Sequence, residues 1–247
     1  MGRNVASRRG SVRRLLAALP LLLFTGCRFG APPGGTSQGQ DIGRLYQILF
    51  YTAIPVAVIV YGLIFWSIVR YRRGRGDPDR MPKQFRYHVP LEILYTVIPV
   101  AIVLGLFVIT YNVEKKVDNV TANPAVRVRV TAFQWQWQFQ YPDSGITVTG
   151  SPTTNPQMVL PVGQTVEIRL LSADVDHAFF VPDFLFKRDA IPGFPNTFDL
   201  DIDHPGVYRG ECAEFCGVGH SGMNFTIRAV TPSQFRTWVS QHRGTSS

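Results

Sequence analysis

The sequence has little cysteine, little charge and no P-loop motif. Only 3 of its 247 residues are cysteine, which is too few for a disulfide framework. No P-loop pattern (GxxxxGK[ST]) is present, so nothing indicates nucleotide binding through such a loop. The motif CxxCH is also missing, which excludes a fused c-type haem domain.

The second half of the chain carries no net positive charge. The formal net charge is +8, but residues 1–113 hold 14 Lys/Arg and 4 Asp/Glu, whereas residues 114–247 hold 11 and 13. The basic residues cluster in an N-terminal leader and in one loop between two apolar runs. This distribution is typical of signals for membrane insertion and not of a basic binding face, so no nucleic-acid partner is expected.

Two long segments contain no charged residue at all. They run from Leu45 to Val69 and from Ile93 to Val113, 25 and 21 residues, and about 20 residues suffice to cross a bilayer as a helix. We therefore predict transmembrane helices over 45–69 and 89–113. Arginine and lysine crowd the connecting segment, 70–88, which the positive-inside rule places in the cytoplasm.

Residues 1–27 are predicted to be a secretory signal peptide. Five arginines precede an apolar stretch from Leu15 to Phe24 that is too short to span a bilayer. It ends in Phe-Thr-Gly-Cys, which resembles a bacterial lipobox, and Cys27 is the predicted lipidation site. An ordinary signal peptide with an incidental cysteine is the alternative. Residues 28–44 are rich in Gly, Pro and Ser and are predicted to be a flexible tether.

Beyond the apolar runs the sequence pattern changes to that of short β-strands. From Val126 onward, alternating or apolar runs are separated by Pro-Asp, Pro-Gly and Asn-Pro turns. Residues 114–230 are therefore predicted to form an exported all-β sandwich or barrel. Residues 231–247 are predicted to be a C-terminal helix and tail, because a Thr-Pro start precedes apolar residues at helical spacing.

One short segment concentrates side chains that bind soft metals. Cys212, Cys216, His220 and Met223 lie within 12 residues, and glycines between them allow a tight loop. Thiolate and thioether sulfur together with imidazole favour copper. His177, 35 residues before Cys212, is expected to join them from an adjacent strand end. Two thiolates four positions apart can also bridge two metal ions, which then share one electron.

Three other interpretations of this segment are open at this point. Cys212 and Cys216 could form a disulfide in the oxidising exterior, although a disulfide does not explain the neighbouring His220 and Met223. A zinc site is possible, although zinc rarely recruits a thioether. A mononuclear copper carrier is the third.

The run from Gly206 to Met223 resembles the binuclear copper (CuA) signature of cytochrome c oxidase subunit II. The resemblance covers everything after the signal peptide, from the helical hairpin to the copper loop. It implies a cupredoxin-like domain in which Cys212 and Cys216 bridge both coppers. It also implies that His177 and His220 each bind one of them.

The same resemblance assigns two weaker ligands. Met223 is expected to bind one copper weakly, and the main-chain carbonyl of Glu214 is expected to bind the other. The side chain of Glu214 is expected to reach a magnesium or manganese ion at the border with subunit I. A solvated loop acid is the plain alternative for Glu214.

Residues outside the metal loop also match the family. Trp135 lies in a segment that alternates aromatics with glutamines, and it matches an exposed tryptophan that receives the electron from cytochrome c. Core packing on one strand face is the alternative. Glu92 matches a glutamate at the mouth of a proton path into subunit I, whereas a carboxylate at a membrane border can also snorkel.

Acidic residues of the β-domain are candidates for partner docking. Asp189 matches an acid of the family's docking patch, and with Asp143 and Asp183 it could form an acidic surface that steers a basic cytochrome c. Surface acids are also commonly just solvated.

The expected architecture is a membrane α-hairpin of two transmembrane helices plus an all-β cupredoxin-like sandwich or barrel. The resemblance implies subunit II of a cytochrome c oxidase in the bacterial cell membrane, with its copper domain on the outer face. Electrons from cytochrome c would pass through two coppers to the haem of subunit I. Oxygen would there be reduced to water, coupled to proton translocation.

Subunit I and other oxidase subunits are expected partners, because this chain cannot reduce oxygen alone. His88 is the only histidine near the apolar runs, so axial ligands for haem are absent. The copper subunit of a nitric oxide reductase and a non-enzymatic copper-binding membrane protein are the alternatives. Quinol oxidase subunits look similar but lack the copper ligands.

Overall fold

The computed structural model describes residues 32–72, 84–151 and 153–243. In this part of the chain, two long helices are followed by a β-domain and a short C-terminal helix. The predicted signal peptide, Cys27 and most of the basic loop lie outside the described residues.

Helices α1 (Ser37–Arg70) and α2 (Val89–Val117) are long and apolar enough to cross a membrane. They contain 34 and 29 residues, with mean hydropathies of 2.3 and 2.6 over windows that are not buried within the protein. At about 1.5 Å of rise per residue, both exceed the ~30 Å hydrocarbon thickness of a bilayer. Their exposed apolar sides require lipid or another protein as cover. The predicted helical hairpin is confirmed.

Helix α1 begins eight residues before the predicted span, so the prediction of a flexible tether is wrong for residues 37–44. Thr36 is buried, and its side chain caps the helix by accepting from Gly39 N at 3.0 Å. Gln38 then binds Asp201 twice, through Nε2 to Oδ2 at 2.8 Å and through Oε1 to the main-chain N at 3.1 Å. These tertiary bonds order a segment whose composition alone indicates flexibility.

The β-domain is a sandwich of two sheets, each with five strands in the described residues. Its strands are β1 (Val126–Phe133), β2 (Gln136–Tyr141), β3 (Ile146–Thr149), β4 (Gln157–Pro161), β5 (Thr165–Ser172), β6 (His177–Val181), β7 (Phe186–Ala190), β8 (Asn196–Asp201), β9 (Gly206–Cys212) and β10 (Asn224–Val230). One sheet has the order β3-β2-β1-β5-β8, and the other has the order β4-β10-β9-β6-β7. The predicted all-β sandwich is confirmed.

Alternation of side chains along the strands creates the core between the sheets. In β1, Val128 and Val130 are buried whereas Arg127 and Arg129 are exposed, as a period of two requires. Aromatic rings fill the centre, where Phe179 and Phe225 stack with centroids 4.8 Å apart. This rigid packing fixes the strand ends from which loops project.

Helix α3 (Pro232–His242) follows β10, where the sequence predicts a C-terminal helix. Thr231 caps it in a capping box with Gln234. Phe235 and Trp238 pack on Tyr141, with ring centroids 6.5 and 5.1 Å away.

Strand register determines which loops meet at one end of the sandwich. Antiparallel β6 and β9 pair Phe179 with Cys212, so the start of β6 lies beside the end of β9. The turn between β1 and β2 lies at the same end, since its side chains reach the loop after β9. The start of α1 is at the opposite end, where Thr36 bridges Ile202 shortly before β9 begins.

Replacing Gly39 by alanine tests the contact between α1 and the β-domain. Alanine normally stabilises a helix over glycine by roughly 0.5–1 kcal/mol. A Cβ at Gly39, however, would lie 2.1 Å from the carbonyl oxygen of Phe184. We therefore expect the sign to reverse, with a loss of about 1–3 kcal/mol and a lower thermal unfolding midpoint for the full chain in detergent.

Gly105→Ala is the matched control, because a Cβ at this helical position meets nothing within 4 Å. It should leave the unfolding midpoint unchanged or raise it. Equal midpoints for Gly39→Ala and Gly105→Ala would contradict the close contact with Phe184.

Candidate metal centre

Five side chains with metal-binding atoms converge at the end of the sandwich where β6 begins and β9 ends. The ligand atoms of His177, Cys212 and Cys216 all lie within 4.8 Å of one another. Cys212 Sγ is 3.8 Å from both Cys216 Sγ and His177 Nδ1. Cys216 Sγ is 3.6 Å from His220 Nδ1 and 3.9 Å from Met223 Sδ. The structure thus brings together all five side chains that the sequence pattern indicates as metal ligands.

Glu214 presents its main chain and its side chain in different directions. Its carbonyl oxygen is 3.3 Å from Cys212 Sγ, so the main chain faces the cluster. Its carboxylate instead pairs with Lys187 Nζ on β7, and Lys187 also lies 3.3 Å from Asp189. The main chain and the side chain of Glu214 therefore make separate contacts.

The loop after β9 is closed by main-chain bonds and by close glycine contacts. Cys212 N donates to Met223 O at 3.0 Å and so joins the two ends of the loop. Gly217 has φ +115, in the region that favours glycine. A Cβ at Gly219 would lie 2.5 Å from Cγ of Trp135, so this ring needs a glycine beside it. The glycines between the ligands therefore allow the loop to turn and leave room for the ring of Trp135.

Asp174 fixes the orientation of the buried His177 ring. Its Oδ1 lies 2.8 Å from His177 Nε2, which leaves Nδ1 facing Cys212 Sγ. A carboxylate on the far nitrogen of a metal-binding histidine sets the tautomer and raises its basicity. Burial alone would lower the pKa of His177, but contacts with Cys212 and Asp174 raise it above its ordinary value.

The two thiols differ in how readily they ionise. Burial opposes ionisation of Cys212, yet hydrogen bonds from His177 and the main chain outweigh it and lower the pKa of this thiol. Burial and the negative charge of Cys212 together raise the pKa of Cys216. A second thiolate therefore needs added positive charge close by, which a bound cation supplies.

The donor set fits a pair of copper ions better than the alternatives. The sulfur atoms of Cys212 and Cys216 are 3.8 Å apart, far beyond the ~2.05 Å of a disulfide bond, and both cysteines are free. Two sulfurs, two imidazole nitrogens, a thioether and a carbonyl exceed the four ligands of a structural zinc. Soft sulfur with imidazole favours copper.

Two tryptophans of the aromatic segment contact this loop in different ways. Trp135 is 37% exposed, and its Nε1 donates to Cys216 O at 3.0 Å. Trp137 is fully buried, and its Nε1 donates to Met223 O at 3.3 Å. The position of Trp135 at the surface agrees with the sequence-based expectation of an exposed ring.

The sequence pattern did not indicate that Asp174 and Gln134 belong to this site. Gln134 Nε2 donates to Cys216 O at 2.9 Å, and Gln134 N donates to Asp174 Oδ2 at 2.7 Å. For Asp174 the sequence offered a weak signal, its position three residues before His177. A histidine that binds metal through one ring nitrogen needs a hydrogen-bond partner for the other. For Gln134 the only signal was its position next to Trp135.

Glu92 lies away from the cluster, in the first turn of α2. Its Oε1 accepts from His88 N at 2.9 Å, so it helps to cap this helix. The carboxylate therefore has a structural role, and the proton-path role stays a prediction from the sequence.

The three acids of the predicted docking surface are not gathered at one end of the domain. Asp189 pairs with Ala178 across β6 and β7, next to His177 and hence at the metal end. Asp183 follows the far end of β6, and Asp143 lies in the turn at the far end of β2. Only Asp189 is placed beside the cluster.

The family model and the known relatives that match this chain name the same family. Residues 146–230 match the family described as "Cytochrome C oxidase subunit II, periplasmic domain". A probable cytochrome c oxidase subunit 2 of Nocardia farcinica is 33% identical over 98% of this chain and 84% of its own length. Its counterpart in Streptomyces avermitilis is 36% identical over 93% of this chain and 85% of its own length.

A solved structure is also similar. The periplasmic domain of subunit II of cytochrome oxidase from Bradyrhizobium japonicum is 32% identical to this chain, with a TM-score of 0.46. The match covers 50% of this chain and 96% of that one.

Asp174→Ala should weaken metal binding without unfolding the β-domain. The substitution removes the partner of His177 Nε2, and loss of such a contact typically costs roughly 10- to 100-fold in metal affinity. Copper affinity is measured by competition with a chromophoric chelator on the full chain. Asp176→Ala, at an exposed neighbouring position, should bind copper like the wild type. Unchanged affinity in Asp174→Ala would show that this carboxylate does not orient the ring.

Proposed function

Since the chain belongs to the cytochrome c oxidase subunit II family, we propose that it accepts electrons from cytochrome c and passes them to the haem of subunit I. Oxygen is reduced to water there, coupled to proton translocation, so this chain is one subunit of a larger enzyme. The observation that carries the proposal is the cluster around Cys212 and Cys216, whose sulfurs are 3.8 Å apart. Two imidazoles and a thioether adjoin this pair.

Cys212 and Cys216 occupy the centre of the cluster, and each would serve as a ligand to both copper ions. Each remaining donor would hold only one of the two ions: His177, His220, Met223 and the carbonyl of Glu214. When bound, the copper pair stores a single electron that both ions share. The loop supplies this site preformed, so little rearrangement accompanies each electron.

Trp135 is proposed as the point where the electron reaches this chain. Part of its ring is exposed, whereas its Nε1 is bonded to the carbonyl of Cys216. Few covalent and hydrogen bonds therefore separate a docked donor from the sulfur of Cys216. Asp189 lies at the same end of the domain and is proposed to attract a basic cytochrome c.

Glu214 is proposed to contribute to a second metal site, for magnesium or manganese, shared with subunit I. Its carbonyl faces Cys212 while its carboxylate points away from the sulfur cluster toward Lys187. Hard cations of this kind prefer carboxylate oxygen. Subunit I would have to supply further ligands.

The membrane arrangement follows from charge and helix length. The basic segment 70–88 is proposed to lie in the cytoplasm, which leaves the β-domain on the outer face. The proposed anchoring includes a signal peptide cleaved before a lipidated Cys27. Helices α1 and α2 are proposed to pack against subunit I and other oxidase subunits, which would cover their exposed apolar sides.

The proposed function is tested on the complex purified from membranes through a tag on this chain. Reduced cytochrome c should drive oxygen consumption, and the copper content should exceed that of subunit I by a pair of ions per chain. Consumption of nitric oxide in place of oxygen would favour the nitric oxide reductase alternative. Absence of the additional copper pair would refute the proposal.

Trp135→Phe should slow electron transfer from cytochrome c while copper remains bound. Phenylalanine retains a ring but cannot donate to Cys216 O, and loss of such an outer-shell contact typically costs roughly 10- to 100-fold in activity. Rapid mixing of reduced cytochrome c with the complex gives the rate of the first electron transfer. Trp238→Phe, on α3, is the matched control and should retain the wild-type rate. An unchanged rate in Trp135→Phe would place the electron route elsewhere.

Glu92→Gln separates a proton-path role from helix capping. Glutamine can still accept from His88 N, so α2 should remain capped, but it cannot carry a proton. We expect slower steady-state oxygen reduction, with an unchanged unfolding midpoint and an unchanged rate of the first electron transfer. Glu114→Gln, near the other end of α2, should behave like the wild type. Wild-type turnover in Glu92→Gln would leave this glutamate with a structural role alone.

A further inference from the structure

Gln134 begins the two-residue connection between β1 and β2 and contacts the metal loop directly. Its Nε2 donates to the carbonyl oxygen of Cys216 at 2.9 Å. The indole of Trp135 donates to the same oxygen at 3.0 Å. Because a carbonyl has two lone pairs, these two donors satisfy it completely.

The main chain of Gln134 reaches the other ligand-bearing loop. Its N–H donates to Asp174 Oδ2 at 2.7 Å, and Asp174 Oδ1 lies 2.8 Å from His177 Nε2. Gln134 is 40 residues from Asp174 and 82 from Cys216 along the chain. Gln134 thus contacts the carbonyl of Cys216 and also the carboxylate that orients His177. These two proposed ligands lie on different loops.

The peptide after Cys216 particularly needs such support. The next residue is Gly217, with φ +115, so no side chain restrains this part of the loop. A Cβ at Gly217 would lie 3.4 Å from Gln134 Nε2 and 3.3 Å from the ring of Trp135. The amide and the indole therefore pack against the glycine and fix the plane of the Cys216 carbonyl. Fixing this plane restrains the backbone of Cys216, from which Sγ projects.

We propose that Gln134 is a positioning residue that holds Cys216 and, through Asp174, His177 in the arrangement required for a copper pair. This inference rests on the proposed function, because it assigns Gln134 a role toward the same centre. Loss of its amide would let the Cys216 carbonyl turn while the β-sandwich stays folded, since Gln134 is exposed and lies outside the core.

An exposed glutamine beside Trp135 could instead serve only the docking of cytochrome c. The two roles predict different measurements. A docking residue changes KM for cytochrome c and leaves the copper spectrum unchanged. A positioning residue changes the spectrum and the copper affinity of the chain when no cytochrome c is present.

The test uses Gln134→Met and Gln134→Glu in the full chain loaded with copper. Methionine has a similar length and no charge but cannot donate, and glutamate places an acceptor against the Cys216 carbonyl. We expect copper affinity to fall roughly 10- to 100-fold in Gln134→Met and further in Gln134→Glu. The visible absorption and the copper hyperfine pattern should shift in both. KM for cytochrome c, measured on the complex, should be unchanged in Gln134→Met.

Gln138→Met is the matched control, because this glutamine of β2 donates to Thr149 and not to the metal loop. It should keep the wild-type spectrum and affinity, and circular dichroism should show all variants folded. A wild-type spectrum and affinity in Gln134→Met, with or without a raised KM, would overturn the inference. If the wild-type chain itself binds no copper pair, the proposed function fails and this inference fails with it.

Discussion

Two buried sulfur atoms held 3.8 Å apart are the constraint on which the rest of this structure depends. Two buried thiolates repel each other, and burial raises the pKa of Cys216 on top of that repulsion. Only a scaffold that prevents the two sulfurs from separating can keep such a pair ready for metal. The sandwich meets this need because Cys212 is anchored in β9, and the bond from Cys212 N to Met223 O closes the loop that carries Cys216.

The supports of the cluster come from the same rigid core. Asp174 orients His177, the turn after β1 holds the carbonyl of Cys216, and Trp137 donates to the carbonyl of Met223. Each of these groups lies at or near the end of a packed strand, so the ligand positions are fixed before any ion arrives. A preformed site lowers the reorganisation that accompanies gain or loss of an electron, as the proposed relay requires.

The attachment of the membrane helices is equally specific. Thr36 bridges Ile202, Gln38 binds Asp201 on β8, and Gly39 fits against the carbonyl of Phe184. These contacts fasten the start of α1 to the β-domain at the end opposite the sulfur cluster. A tethered module would sample many orientations, whereas this arrangement restricts the domain relative to α1.

Much of the fold and most of the metal site could be predicted because their signals are local. Charge-free runs indicated both long helices, alternation indicated the strands, and spacing grouped Cys212, Cys216, His220 and Met223. Three features could not be predicted: the start of α1, the contacts of Asp174 and Gln134, and the separation of Asp143 and Asp183 from Asp189.

The sequence by itself determined the chemistry of the donors, because residue type and short spacing suffice for that. Only the tertiary structure decided which distant residues support them, because hydrogen bonds such as Gln134 to Cys216 depend on strand register across 82 residues.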